Sequence, residues 1–233
     1  VVTANKEVMA TYFKELMELK EQYGVCLSFE ASVGGGVPII KNLIDVSNTN
    51  EVTSISGIIN GTTNFILTKL NQGYDFSSAL KLAQELGFAE ADSSYDLDGL
   101  DMLRKIAILT SIATNKIVKL DKIYHYSMKD ASLEDINFVK KFGFNLKYLA
   151  SYERNFIGVE PTLVKGIFTH VNDEYNLISV DASNYGNLKF YGKGAGRYAT
   201  ANAIVNDIND IVNGNKNYVF TGKEELEVGE DCN

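Results

Sequence analysis

Cysteine, histidine and basic charge are all scarce in this chain, and each shortage excludes a class of protein. Of 233 residues only Cys26 and Cys232 are cysteine, too few for a disulfide framework. Cys26 lies in an apolar run and Cys232 in an acidic terminal stretch, so both are expected as free thiols in a reducing cytoplasm. The two histidines, His125 and His170, have no cysteine at zinc-finger spacing, which argues against a structural zinc site. With 22 Lys+Arg against 30 Asp+Glu the net charge is −8 and the pI about 4.9. A general binder of nucleic-acid backbone needs the opposite balance. No run of 18 apolar residues offers a membrane-spanning helix. The chain opens on VVTANK without a Met, neither a signal peptide nor an ordinary start. It is expected to be a piece of something longer.

What is present is a globular composition, 45% apolar and 22% charged, in a chain long enough to close its own core. Val1–Thr3 reads as a strand end, and Asn5 caps a helix from Lys6 to about Tyr23 that Gly24 stops. Val25–Phe29 is strand-like. A glycine-rich loop follows through Gly34–Gly36, and Pro38 opens a helix to Val46. Val52–Ile59 is a strand rich in β-branched residues, followed by helices to Leu70, from Phe76 to Leu86, and from an Asp98 cap to Ala113. Ser132 and Asp135 form a capping box that opens a helix ending at Gly143. Strands are expected over 146–151, 156–159, 163–168, 177–180 and 188–190, then an amphipathic helix marked by Ala201, Ile204 and Ile208. Residues 223–233 are acidic and expected to fray. This mixture predicts an α+β fold: helices covering one face of a mixed, largely antiparallel sheet, whose other face suits self-association as a homodimer.

Four constellations could carry chemistry. The acidic loop from Glu90 to Asp101 suggests calcium, but aligning Asp96, Asp98 and Gly99 to an EF-hand puts Lys105 at the position that requires a bidentate Glu. That reading fails. Asp101 and Lys105 stand four apart on one helix face, acid before base. Taken alone this is an exposed pair worth a few tenths of a kcal/mol; the functional reading is a lysine acid/base oriented by a carboxylate. Gly34–Gly36 is neither a dinucleotide fingerprint nor a Walker loop. It is a tight turn, or a loop whose carbonyls ligate a hard cation with Glu30 nearby. Gly194-Ala195-Gly196 before a helix could offer N–H groups to a phosphate or a ring.

The segment AQELGFAEADSSYDLDGLDMLRK, residues 83–105, resembles the diagnostic segment of homoserine dehydrogenases: glycine, then D-P-x2-D-aliphatic-x-G-x-D-x3-K. Gly87, Asp96, Gly99, Asp101 and Lys105 at this spacing would coincide by chance about once in a million starts, taking ~1/15 per position. The departure is Ser93, where the family has proline; it loosens the loop presenting Glu90 but removes no catalytic group. VVTANK (1–6), FEASVGGGVPII (29–40), IINGTTNFIL (58–67) and GAGRYATANAIVND (194–207) are similar to further family segments.

The resemblance implies NAD- or NADP-dependent reduction of aspartate 4-semialdehyde to homoserine. It assigns Lys105 as the proton donor, Asp101 to hold it and the substrate, and Lys6 as a second lysine near cofactor and substrate. Glu90 and Asp96 join Asp101 as substrate-binding carboxylates, and Gly87 and Gly196 approach the coenzyme. Sodium is implied at Glu30 with the carbonyls of Val33, Gly35 and Val37. The same resemblance divides the chain into residues 1–24, a remnant of a Rossmann-type nucleotide-binding domain; 25–195, catalytic and dimerisation; 196–222, the return into the nucleotide domain; and 223–233, a flexible tail. Two alternatives stay open: a related semialdehyde dehydrogenase, and an inactive, truncated dimerisation module. No nucleic-acid or membrane partner is expected.

Overall fold

A computed structural model describes residues 1–214 and 218–229; Cys232 and the rest of the acidic end lie outside the described residues. Asn5 caps α1 (Lys6–Thr11) by accepting from the Val8 N–H. The chain then turns at Tyr12 (φ −118°, ψ 30°) into α2 (Phe13–Tyr23), where one continuous helix is predicted from the sequence. The two halves have different packing partners. Lys6 and Glu7 are tied to Asp101 and Arg104, whereas Phe13 packs edge-on against Phe29 and Phe220. The expected strand at Val25–Phe29 is a single parallel bridge, Val2 to Ser28.

Next come α3 (Ile40–Ser47), β1 (Val52–Ile58), α4 (Gly61–Asn71), α5 (Phe76–Glu85), the short α6 (Ser94–Leu97) and α7 (Leu100–Thr114). Asp98 does not cap α7. The N-cap is Gly99 in a left-handed conformation (φ 80°), and this turn directs the Asp98 carboxylate to Ser127 and Lys129 at 2.8 and 2.7 Å. After β2 (Tyr124–His125), the Ser132–Asp135 capping box opens α8 (Leu133–Lys140).

The strands β3 (Asn145–Glu153), β4 (Phe156–Val164), β5 (Tyr175–Ala182) and β6 (Gly186–Lys193) are longer than the sequence suggests. β4 runs through Pro161, since β2 pairs only with Gly158 and Val159 and leaves that flank open. The predicted strand at 163–168 is the end of β4 followed by a 3₁₀ turn, Gly166–His170. The chain closes with α9 (Arg197–Val212).

The six strands form one sheet in the order β2-β4-β3-β1-β5-β6, antiparallel except for β2 with β4. Register puts Tyr152, Ile55, Val180 and Leu188 in one row under the helices, where the main core lies. The opposite face carries Ser151, Ser56, Ser179 and Lys189 in its neighbouring row. Farther along, that face packs Leu149, Ile58 and Leu177 beneath Phe168 and Val171. Residues 223–229 do not hang free: Ile117 and Asn155 hold them through backbone hydrogen bonds with Glu224, Leu226 and Gly229.

The two glycine-rich motifs meet. A Cβ on Gly35 would overlap the Gly194 carbonyl, and one on Gly194 would overlap the fully buried Asn176 amide. Gly36 N–H donates to the Lys193 carbonyl at 3.1 Å. Close backbone approach explains these glycines without a ligand.

Candidate active site

β1 delivers the chain to Asn60, which caps α4 through Oδ1, accepting from Thr63 N–H at 2.8 Å. Its amide nitrogen is then free to reach sideways. It donates to Asp96 Oδ1 at 2.7 Å and to Asp101 Oδ2 at 2.9 Å. Helical spacing on α7 places Lys105 over Asp101, and Lys105 Nζ donates to Asp101 Oδ2 and to the Ile59 carbonyl, both at 2.8 Å. From α1, Lys6 Nζ approaches the other Asp101 oxygen at 3.2 Å. Three sequence segments, α1, the Asn60 turn and α7 itself, thus meet at one carboxylate that is only 4% exposed.

The two aspartates are driven apart electrostatically. Burial opposes ionisation of Asp101, but the charge and hydrogen bond of Lys105, the Lys6 charge and the Asn60 amide outweigh it. They hold the carboxyl below its usual range. Burial pushes Asp96 up, and the Asp101 charge adds to the rise against the Asn60 hydrogen bond. Asp101 is thus the better-stabilised anion of the site, and Asp96 the carboxyl whose charge is less compensated by its surroundings.

Asn60, Asp96, Asp101 and Lys105 line a cleft of about 620 Å³. Gly61, Thr62, Gly87 and Phe88 continue that wall, and Glu174 with Lys193–Ala199 forms the facing one. Gly87 and Gly196 present bare backbone: no heavy atom stands within 4 Å of where a Cβ would be. The N-terminus of α9, at Gly196, has no side-chain cap. Such a surface leaves backbone accessible to the flat face of a ligand.

The structure therefore brings Lys105, Asp101, Lys6 and Asp96 together and puts Gly87 and Gly196 on the same cleft. It does not bring in Glu90, which is exposed and is not among the lining residues; its carbonyl accepts from Gln84 at 3.2 Å. Asn60 and Glu174 belong to the site and were not singled out from the sequence. The Asn-Gly-Thr-Thr-Asn motif was the available signal for Asn60.

Glu30 has a defined structural task. Its two oxygens accept from the Ile40 and Lys41 N–H groups, each at 2.8 Å, so it caps α3 from a distance. Its own N–H donates to Asp207 at 3.0 Å. Burial raises the pKa of Glu30, opposed by those backbone donors and reinforced by Asp207. A smaller cavity of about 120 Å³ lies beside it, lined in part by Lys41, Asp45, Asp207 and Tyr218. Among the described residues no three His, Cys, Asp or Glu side chains gather as a metal site. Both oxygens of the single carboxylate in the expected cation ligand set, Glu30, already accept backbone N–H groups.

No helix among the described residues is long and apolar enough to cross a membrane. A sequence model of the homoserine dehydrogenase family matches residues 38–209. The homoserine dehydrogenase of Synechocystis sp. is 42% identical over 223 residues, covering 91% of this chain and 52% of that protein. That of Methanocaldococcus jannaschii is 39% identical, covering 93% and 65%. A crystal structure of a homoserine dehydrogenase from Thiobacillus denitrificans superposes with a TM-score of 0.90 at 33% identity, over 99% of this chain and 56% of that one. A hyperthermophilic archaeal homoserine dehydrogenase in complex with NADPH gives 0.82 at 26% identity, over 94% and 65%. The chain spans about half the length of the curated relatives it matches. On the matched segments and the shared fold, it belongs to the homoserine dehydrogenase family.

Proposed function

We propose that this chain is the catalytic and dimerisation part of a cytoplasmic enzyme that reversibly reduces L-aspartate 4-semialdehyde to L-homoserine with NADPH or NADH. In that reading residues 1–24 and 196–222 belong to the nucleotide-binding domain and 25–195 to the catalytic one. One observation carries it. Lys105 has three N–H donors; Asp101 and the Ile59 carbonyl accept two, and the third is left for an oxygen in the cleft.

The bound coenzyme supplies the hydride, and Gly87 and Gly196 would lie against it. Lys105 then protonates the carbonyl oxygen as it gains charge, and in the reverse direction takes the hydroxyl proton. Asp101 keeps Lys105 and Lys6 at one carboxylate, so the ammonium head cannot swing away. Asp96 would receive the substrate ammonium, a group for which the family resemblance assigns Glu90 as well. Sodium would sit at Glu30 with the carbonyls of Val33, Gly35 and Val37. The serine-rich face of the sheet would pair with a second copy; sedimentation of this chain as a dimer checks that part.

The test is direct. The full-length protein containing this chain should oxidise NADPH or NADH when given aspartate 4-semialdehyde, and reduce NADP or NAD when given homoserine. Turnover of neither substrate would refute the proposal.

A further inference from the structure

Lys147 is almost wholly buried, 1% exposed, yet it forms no ion pair among the described residues. β1 ends at Ile58, and Lys147 of β3, two residues beyond Leu149 on the same face, reaches the Val171–Asn172 segment that leads into β5. Its ammonium is surrounded by neutral oxygens: Asn64 Oδ1 at 3.1 Å, Asn172 Oδ1 at 3.4 Å and the Val171 carbonyl. Three acceptors match the three donors of the ammonium. Burial lowers its pKa to about 8, with Asp173 the charge that opposes the fall; Asp173 itself stands 3.5 Å from Lys69.

The partners show what this ammonium holds. Asn64 Nδ2 donates to the carbonyls of Asp173 and Tyr175 at 3.0 and 3.2 Å. Thr68 Oγ1 accepts from Asp173 N–H at 3.1 Å and donates to the Asn64 carbonyl at 2.7 Å. Segment 171–175 is thus tied to α4 at Asp173 and Tyr175, and to Lys147 at Val171 and Asn172. Glu174, in its middle, lines the cleft; its carbonyl accepts from Gly194 N–H at 3.3 Å and its carboxylate stands 3.5 Å from Lys193. At the other end of this network α4 begins at Asn60, which grips Asp96 and Asp101.

We propose that Lys147 is a positioning residue: a resident ammonium that fixes segment 171–175, and through it Glu174 and the Lys193–Gly196 wall, against the wall of Asn60, Asp101 and Lys105. It touches no reacting atom. The kinetic consequence rests on the reading of this cleft as the site of aldehyde reduction.

The test uses Lys147→Met, which keeps the chain length and removes the charge, and Lys147→Ala with added ethylammonium. In this chain, Lys147→Met should lose amide-exchange protection at 171–176 and 193–199 while α7 keeps its protection. In the full-length enzyme kcat/KM for the aldehyde should fall about 10–100-fold, the usual result of a misplaced site wall. Ethylammonium should restore part of both losses in Lys147→Ala and do nothing to the wild type. Unchanged exchange in the two segments overturns the proposal, as does loosened exchange with unchanged kcat/KM. Exchange that rises evenly along the chain with no amine rescue reduces Lys147 to a general stabiliser, and also overturns it. If the wild-type enzyme reduces no aldehyde, the functional reading fails, and the exchange experiment still decides whether Lys147 holds the two segments.

Discussion

Asn60 offers the sharpest perturbation, because one side chain performs two separable tasks. Its oxygen caps α4 and its amide nitrogen bridges Asp96 and Asp101. Losing a cap to alanine costs ~1 kcal/mol. Each hydrogen bond to a charged group contributes ~1.5–3 kcal/mol, and both carboxylates here are substantially buried. Asn60→Ala should therefore lower the unfolding free energy by roughly 4 kcal/mol or more, a large share of the ~5–15 kcal/mol of an ordinary domain. Asn60→Ser keeps a capping oxygen and should recover about 1 kcal/mol of that. Asn60→Asp keeps the cap but sets a third carboxylate between two others, and should be at least as damaging as alanine. Urea unfolding followed by circular dichroism, with the slope m unchanged across the series, measures all three. An alanine variant within 1 kcal/mol of wild type, or an aspartate variant as stable as asparagine, would refute the bridging role.

Asp207→Asn should stabilise the chain at neutral pH. Burial raises the Asp207 pKa above 3.8, and Asp210 adds to it against the Glu30 N–H. A raised carboxyl favours folding most below its unfolded pKa, and that contribution is lost as pH rises through the folded value. The Tm gain should therefore appear at pH 7 and vanish in acid; an equal gain at both would contradict the cause. Gly194→Ala should unfold or loosen the 192–196 segment, because the new Cβ meets Asn176; a variant with wild-type Tm and exchange would show the contact is soft. Glu90→Gln should raise KM for the aldehyde with little change in kcat in the full-length enzyme. If only kcat falls, Glu90 does not hold the substrate ammonium.

The Asp101–Lys105 pair was legible because helical periodicity alone puts i and i+4 on one face, and the spacing of residues 83–105 marks the family. The sheet's existence was legible from β-branched alternation in Val52–Ile58 and its antiparallel partners. Its ends were not. Nothing local says that β4 continues through Pro161, since this depends on β2 leaving that flank unpaired. Asn60 could be read as a helix cap, but its second task depends on α6 and α7 folding back over it. Lys147 falls in the strand expected over 146–151 with no local mark of its burial, which is decided by α4 and the 171–175 segment, far away in sequence. Glycines gave the most ambiguous signal: Gly35 and Gly194 serve each other's packing, whereas Gly196 faces the cleft.

Whether Lys105 moves the proton is measured most directly by the reduction rate of Lys105→Met in the full-length enzyme at saturating aldehyde and coenzyme. Loss of a positioned proton donor lowers kcat by about 10²–10⁴-fold, with coenzyme binding close to wild type and Tm lowered by the uncompensated Asp101 charge. A folded Lys105→Met enzyme that binds coenzyme and turns over within a few-fold of wild type would contradict the assignment.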